Sequence, residues 1–168
     1  KNGMKDVLII DCGPSLSDVS KHYGLTPEWI MQSLKNKGCN FTWVKPYVGD
    51  KIQSNNADAW IITGSPCSVY NCEAWMVNLE EEMKNIQSSQ IPVLGICFGH
   101  QLIAKCFGGT VELNPKGWEL GAYPVQFTAA GKMSQLFSGM EENAIVYESH
   151  QDSVRSEEHT SELQSRET

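Results

Sequence analysis

As far as Gly108-Gly109, short apolar runs alternate with amphipathic stretches along the chain. Val7-Leu8-Ile9-Ile10 is unbroken and stops at Asp11-Cys12-Gly13-Pro14, the pattern of a buried strand ended by a turn. Thr26-Pro27-Glu28 then supplies an N-cap, a proline for the first helical position and a first-turn acid. It predicts a helix carrying Trp29, Ile30 and Leu34 to about Lys37, with Gly38 as its stop. Phe41 to Val44 and Ala59 to Thr63 read as strands, the second ended by Gly64-Ser65-Pro66. Ala74 to Ile86 has apolar residues at helical spacing and an acidic outer face at Glu80 to Glu82, and Ile91 to Ile96 is the next strand. Strands apolar on both faces, alternating with helices, predict an α/β fold: an open, mostly parallel sheet with helices on both faces. Ligands of such sheets sit at the carboxyl ends of the strands.

Beyond Gly109 the segments shorten, with strands expected at Thr110 to Leu113, Tyr123 to Phe127 and Ala144 to Tyr147 and a short helix near Met133 to Phe137. No repeat, low-complexity stretch or linker divides the chain, so one domain is expected over residues 4–154. Met4 directly before the first strand looks like a natural start, with Lys1 to Gly3 upstream of it. At the other end, Arg155 to Ser165 breaks all patterning and resembles the in-frame translation of a sequencing-library adapter. Residues 155–168 are therefore expected to be a non-native tail, and His159 is assigned no function.

Composition narrows the function classes. The chain has 168 residues with 40% hydrophobic side chains, enough for one buried core, and a formal charge of −7 that leaves no broad surface for nucleic acid. No apolar run reaches the roughly 20 residues that span a bilayer, so a soluble, cytoplasmic protein with no membrane partner is expected. The six cysteines lie in apolar or glycine-rich settings and read as thiols. Cys67 and Cys72 have loose zinc-ligand spacing, but no second Cys or His pair completes a tetrahedron, so no metal is expected.

Candidate chemistry concentrates at Gly95-Ile96-Cys97-Phe98-Gly99, between a buried strand and a helix expected from Phe98 to about Phe107. This is the pattern of a nucleophile elbow with Cys in place of Ser. The glycines admit a sharp turn that exposes the sulfur. The following helix aims its free N–H groups and positive dipole end at it, favouring the thiolate and offering donors to an oxyanion.

Gly95-Ile96-Cys97-Phe98-Gly99-His100-Gln101-Leu102-Ile103-Ala104 resembles the nucleophile motif of the class I, triad-type glutamine amidotransferases. Ile62-Thr63-Gly64-Ser65-Pro66 resembles the oxyanion-loop segment of that family, and Ser149-His150-Gln151-Asp152 its Ser-His-x-Asp segment; Asn114 to Gly121 is most similar to stand-alone members related to the GMP synthase amidotransferase domain. The resemblance spans about Met4 to Val154. It implies a flavodoxin-like sheet and L-glutamine as substrate. Cys97 is implied to form a γ-glutamyl thioester, and Phe98 and Ser65 N–H groups to hold the oxyanion in a loop shaped by Gly64. Gln101, Ser149, His150 and Gln151 are implied to line the glutamine pocket. No cofactor is implied, and ammonia is expected to pass to a synthase partner.

The family takes its base from a later His-Pro-Glu motif, which is absent from these 168 residues; His100 is a structural position in the family, and His22 reads as lying in an early loop. The chain is accordingly expected to lack its last strands and the His-x-Glu pair, and to be a poor enzyme. A γ-glutamyl peptidase of the same fold and a non-catalytic glutamine-binding regulatory domain remain alternatives.

Overall fold

The computed structural model describes residues 3–53, 56–155 and 163–165; His159, Lys1 and Asn2 lie outside them. The chain divides into two compact units, Lys1–Phe107 and Gly108–Thr168. Among the described residues no helix is long and apolar enough to cross a membrane.

The first unit is built on four parallel strands, β1 (Lys5–Ile10), β2 (Cys39–Val44), β3 (Ala59–Ile62) and β4 (Val93–Gly95), in the order β2-β1-β3-β4. Around them run α1 (Ser17–Tyr23), α2 (Thr26–Ser33), α3 (Ala74–Gln87) and α4 (Phe98–Cys106), with 3-10 turns at Pro46–Val48 and Val69–Asn71. This is the expected α/β layering. Side chains alternate across a strand, so Val7, Ile9 and Ile61 pack against Ile30 and Met31 of α2 and Leu34 at its C-cap on one face. The opposite face receives α4, whose Gly99 lies directly on Ile62. Beside it α3 buries one stripe, Trp75, Met76, Leu79, Met83 and Ile86. Lys105 of α4 pairs with Glu80 of α3 at 2.6 Å. Because Leu79 is fully enclosed, Leu79→Ala is expected to lower unfolding free energy by about 2 to 5 kcal/mol, measured by urea titration. A loss within about 0.5 kcal/mol, the range of exposed sites, is the contrary result.

Three local expectations are corrected. The strands are not all apolar on both faces: the central β1 and β3 are buried, whereas the edge strands β2 and β4 expose Trp43 and Leu94, since an edge strand has a neighbour on only one side. The α2 helix ends at Ser33 rather than Lys37, and its N-cap is Leu25. Thr26 is engaged instead with the Ser15 hydroxyl, and Glu28 reaches back to accept the Leu25 N–H at 2.6 Å. Finally, His22 lies within α1, where its Nδ1 meets the Asp18 carbonyl at 2.9 Å, not in a loop.

The second unit contains β5 (Thr110–Leu113), β6 (Glu119–Phe127), α5 (Ala129–Met133), a 3-10 turn at Gln135–Phe137, β7 (Ile145–His150), β8 (Asp152–Arg155) and β9 (Leu163–Ser165). Antiparallel β5 pairs β8, and β6 lies between β7 and β9. The expected helix near Met133 is displaced toward the N-terminus, because the Thr128 hydroxyl caps it by accepting the Gly131 N–H at 3.1 Å. Strand β8 is short and polar, and alternation alone does not announce it.

Candidate active site

At the carboxyl end of β4, Gly95 is in register with Ile62 of β3, and the Ile96 N–H extends the ladder by donating to the Ile62 carbonyl at 2.9 Å. The chain then turns sharply. Cys97 has φ 53° and ψ −109°, a conformation that L-residues hold only under strain, and α4 begins at the next residue. The turn is closed by Gly99 N–H donating to Ile96 C=O at 3.0 Å and Gln101 N–H to Cys97 C=O at 3.1 Å.

Two glycines make the turn possible. A Cβ on Gly95 would stand 2.5 Å from the Gly99 carbonyl carbon and the His100 nitrogen, and one on Gly99 would stand 2.3 Å from the Ile62 carbonyl oxygen. Both obstacles are backbone, so strand, turn and helix interlock without room for a methyl group. The result is an exposed thiol at the N-cap of a nine-residue helix, where the dipole favours thiolate. Elsewhere the fold does the reverse: burial pushes the Cys12 thiol far up, and burial likewise raises Cys106.

The loop after β3 lies against this cysteine, since a Cβ on Gly64 would be 3.6 Å from the Cys97 Cβ. Its neighbours hold it firmly. Pro66 sits on Gly13 after β1, where a Cβ would meet the proline Cδ at 2.6 Å, and the Ser65 hydroxyl accepts the Cys67 N–H at 3.1 Å. Next to Gly13, buried Asp11 accepts the Gly13 N–H at 3.2 Å; burial raises its carboxyl while that bond and Lys45 oppose the rise. Phe98 is anchored below by tilted stacking on Trp75, with centroids 5.7 Å apart, and Trp75 donates through Nε1 to Glu73 at 2.7 Å. An N–H in a helix's first turn has no acceptor within its own helix, so the Phe98 amide beside the sulfur is the type of group that stabilises an oxyanion.

The structure thus gathers Cys97, Gly64 and Phe98 at one corner of the first unit, with Ser65 in the same loop as Gly64 and buried Gln101 one turn along α4. His100 is half-buried on that helix. Ser149, His150 and Gln151 belong to the second unit: Ser149 is exposed on β7, His150 half-buried at its end and Gln151 exposed in the bend before β8. His150 Nε2 stands 3.3 Å from carboxylate oxygens of both Glu119 and Glu148. The ligand atoms of these three residues lie within 4.8 Å of one another, the one grouping among the described residues with the donors to hold a cation. Sequence reading missed both glutamates. Glu148 and His150 at i, i+2 share a strand face and were detectable, whereas Glu119 arrives only through its cross-strand register with His150.

Comparison with known proteins bears on the family and the fold. The family model described as "Glutamine amidotransferase class-I" matches residues 9–167. A GMP synthase [glutamine-hydrolyzing] of Borreliella burgdorferi is 33% identical over 150 residues, covering 88% of this chain and 26% of that protein. A glutamine amidotransferase-like protein of Schizosaccharomyces pombe is 39% identical over 79 residues, 46% of this chain and 32% of that protein. Among solved structures, a glutamine amidotransferase from Thermotoga maritima superposes with a TM-score of 0.72 at 20% identity, covering 92% of this chain and 64% of that one. One from Methylobacillus flagellatus gives 0.71 at 23% identity, covering 90% and 57%. At those identities the structural likeness speaks to fold alone.

Proposed function

Because the chain belongs to the glutamine amidotransferase class-I family, we propose that Cys97 attacks the side-chain carboxamide of L-glutamine and that the ammonia released passes to a synthase domain or subunit. The observation that carries this reading is the strained, exposed Cys97 at the start of α4, clamped between Gly95 and Gly99. In the reaction the sulfur bonds to the amide carbon, the C–N bond breaks and the nitrogen leaves as ammonia, taking up the proton that the thiol gave up. Water then cleaves the γ-glutamyl thioester to glutamate. N–H groups of Phe98 and Ser65 stabilise the oxyanion of each tetrahedral intermediate, and Gln101 contacts the substrate's amino-acid end.

A synthase partner is supported by the relatives that are glutamine-hydrolysing GMP synthases, of one of which the chain spans 26%. No metal or cofactor has a role in the reaction, and the setting is cytoplasmic. The chain's four histidines are His22, His100, His150 and His159, none of them in a His-Pro-Glu motif. Turnover by these 168 residues is therefore expected near background, because a general base contributes about 10²–10⁴ in rate.

Intact-mass measurement after incubation with an activated γ-glutamyl ester tests the reading. One γ-glutamyl adduct per chain, mapped to Cys97 and formed without sustained hydrolysis, is the expected result. Absence of the adduct, or its appearance on another cysteine, removes the assignment. Many turnovers abolished by His150→Ala would move the base into this chain, and preferential cleavage of γ-glutamyl peptides over glutamine would favour a peptidase.

A further inference from the structure

The residue before the oxyanion loop carries a hydroxyl with two simultaneous tasks. Thr63 is fully enclosed at the end of β3, its N–H donating to the Ile10 carbonyl at 3.0 Å. Its Oγ1 accepts the Cys12 N–H from the end of β1 at 2.9 Å and donates its single proton to the Gly64 carbonyl, also at 2.9 Å. The Gly64 carbonyl belongs to the same peptide unit as the Ser65 N–H. That unit is trans, and in a trans peptide the C=O and N–H point in opposite directions. Holding the oxygen toward Thr63 therefore holds the Ser65 N–H away from it. Gly64 has no side chain to resist rotation of this peptide, and it is the loop residue that lies against Cys97. The orientation is thus set by the hydroxyl, which is itself fixed to the neighbouring strand through Cys12.

Resting on the reaction proposed above, we propose that Thr63 is a positioning residue, whose hydroxyl aims the Ser65 N–H toward the carbonyl being attacked at Cys97. It touches no substrate atom. Thr63→Val keeps the shape of the side chain and removes both hydrogen bonds, whereas Thr63→Ser keeps them.

Two reactions of Cys97 separate positioning from general disruption. Acylation by a γ-glutamyl p-nitrophenyl ester forms a C–S bond, breaks the C–O bond and releases p-nitrophenolate with the electron pair, the thiol proton going to water; it passes through an oxyanion. Alkylation by iodoacetamide displaces iodide and forms none. In the 168-residue chain, Thr63→Val is expected to slow acylation by about tenfold or more, since one oxyanion donor is worth about 10²–10³ when removed outright. Alkylation should stay within about twofold of the unsubstituted chain, because thiolate content is unchanged, and Thr63→Ser should restore acylation. Unchanged acylation in Thr63→Val overturns the proposal, as does a parallel fall in both reactions. If Thr63→Val does not fold, as judged by circular dichroism, Thr63→Ala carries the same expectation. A chain whose Cys97 alkylates but never acylates, with Thr63 intact, overturns the proposed function and this inference together, a result distinct from selective failure in the Thr63 variants.

Discussion

A chloroketone or diazoketone analogue of glutamine is expected to label Cys97 before any of the other five cysteines, by a rate factor of about 10² or more. The reason is physical rather than a matter of exposure alone. Cys72 is also exposed, at φ 52°, but it stands one residue before the N-cap of α3, which is the acidic Glu73, whereas Cys97 is itself the N-cap of α4. Cys12 is enclosed and its thiol is pushed far up by burial, so almost none is ionised near neutral pH; Cys106 is raised by the same cause. Peptide mapping after timed labelling measures the ratio directly. Equal labelling of Cys72 or Cys106, or protection of Cys97, would remove the basis of the elbow. Cys97→Ala should abolish acylation with no change in the unfolding midpoint. Cys97→Gly should abolish it too and stabilise the fold by about 1 kcal/mol, because glycine adopts a positive φ without the strain that cysteine stores there. Destabilisation by Cys97→Gly would show that the turn is not strained.

Gly99→Ala is expected to destabilise the first unit by about 3 kcal/mol or more. Its new methyl meets the Ile62 carbonyl oxygen at 2.3 Å, the carbonyl carbon at 2.9 Å and the Ile62 Cβ at 3.0 Å. None of these can swing aside, since Ile62 is hydrogen-bonded into the middle of the sheet. The alternative to unfolding is a lift of α4 off β3, which separates Phe98 from Trp75 and moves the Cys97 sulfur. A loss of labelling rate should therefore accompany whatever folded population remains. Gly38→Ala is the internal reference: its φ is 73°, but nothing lies within 4 Å of the added atom, so only the backbone cost of about 1 kcal/mol applies. Urea midpoints at unchanged m-value compare the two. Equal losses would mean that α4 and β3 are not in the close contact described.

The chain pattern was sufficient for the alternation of β1 to β4 with α2, α3 and α4, because an apolar run such as Val7 to Ile10 or a helical stripe such as Trp75 to Ile86 is written in consecutive residues; it did not announce α1 or β8. It was also sufficient for the elbow, where Gly95, Cys97 and Gly99 stand within five positions and their spacing carries the geometry. Register, edges and the partners of polar groups lie outside local pattern. Trp43 and Leu94 are as apolar as their buried counterparts, and only the strand order reveals that they sit at edges. Thr63 looks like one more strand residue until β1 is laid beside β3, when its hydroxyl joins the Cys12 N–H to the Gly64 carbonyl. The glutamates around His150 likewise come from two strands whose pairing brings Glu119 opposite the imidazole. In each case the deciding contact joins residues far apart in the chain, so it depends on which backbone hydrogen bonds close the sheet and on nothing written within one turn or one strand.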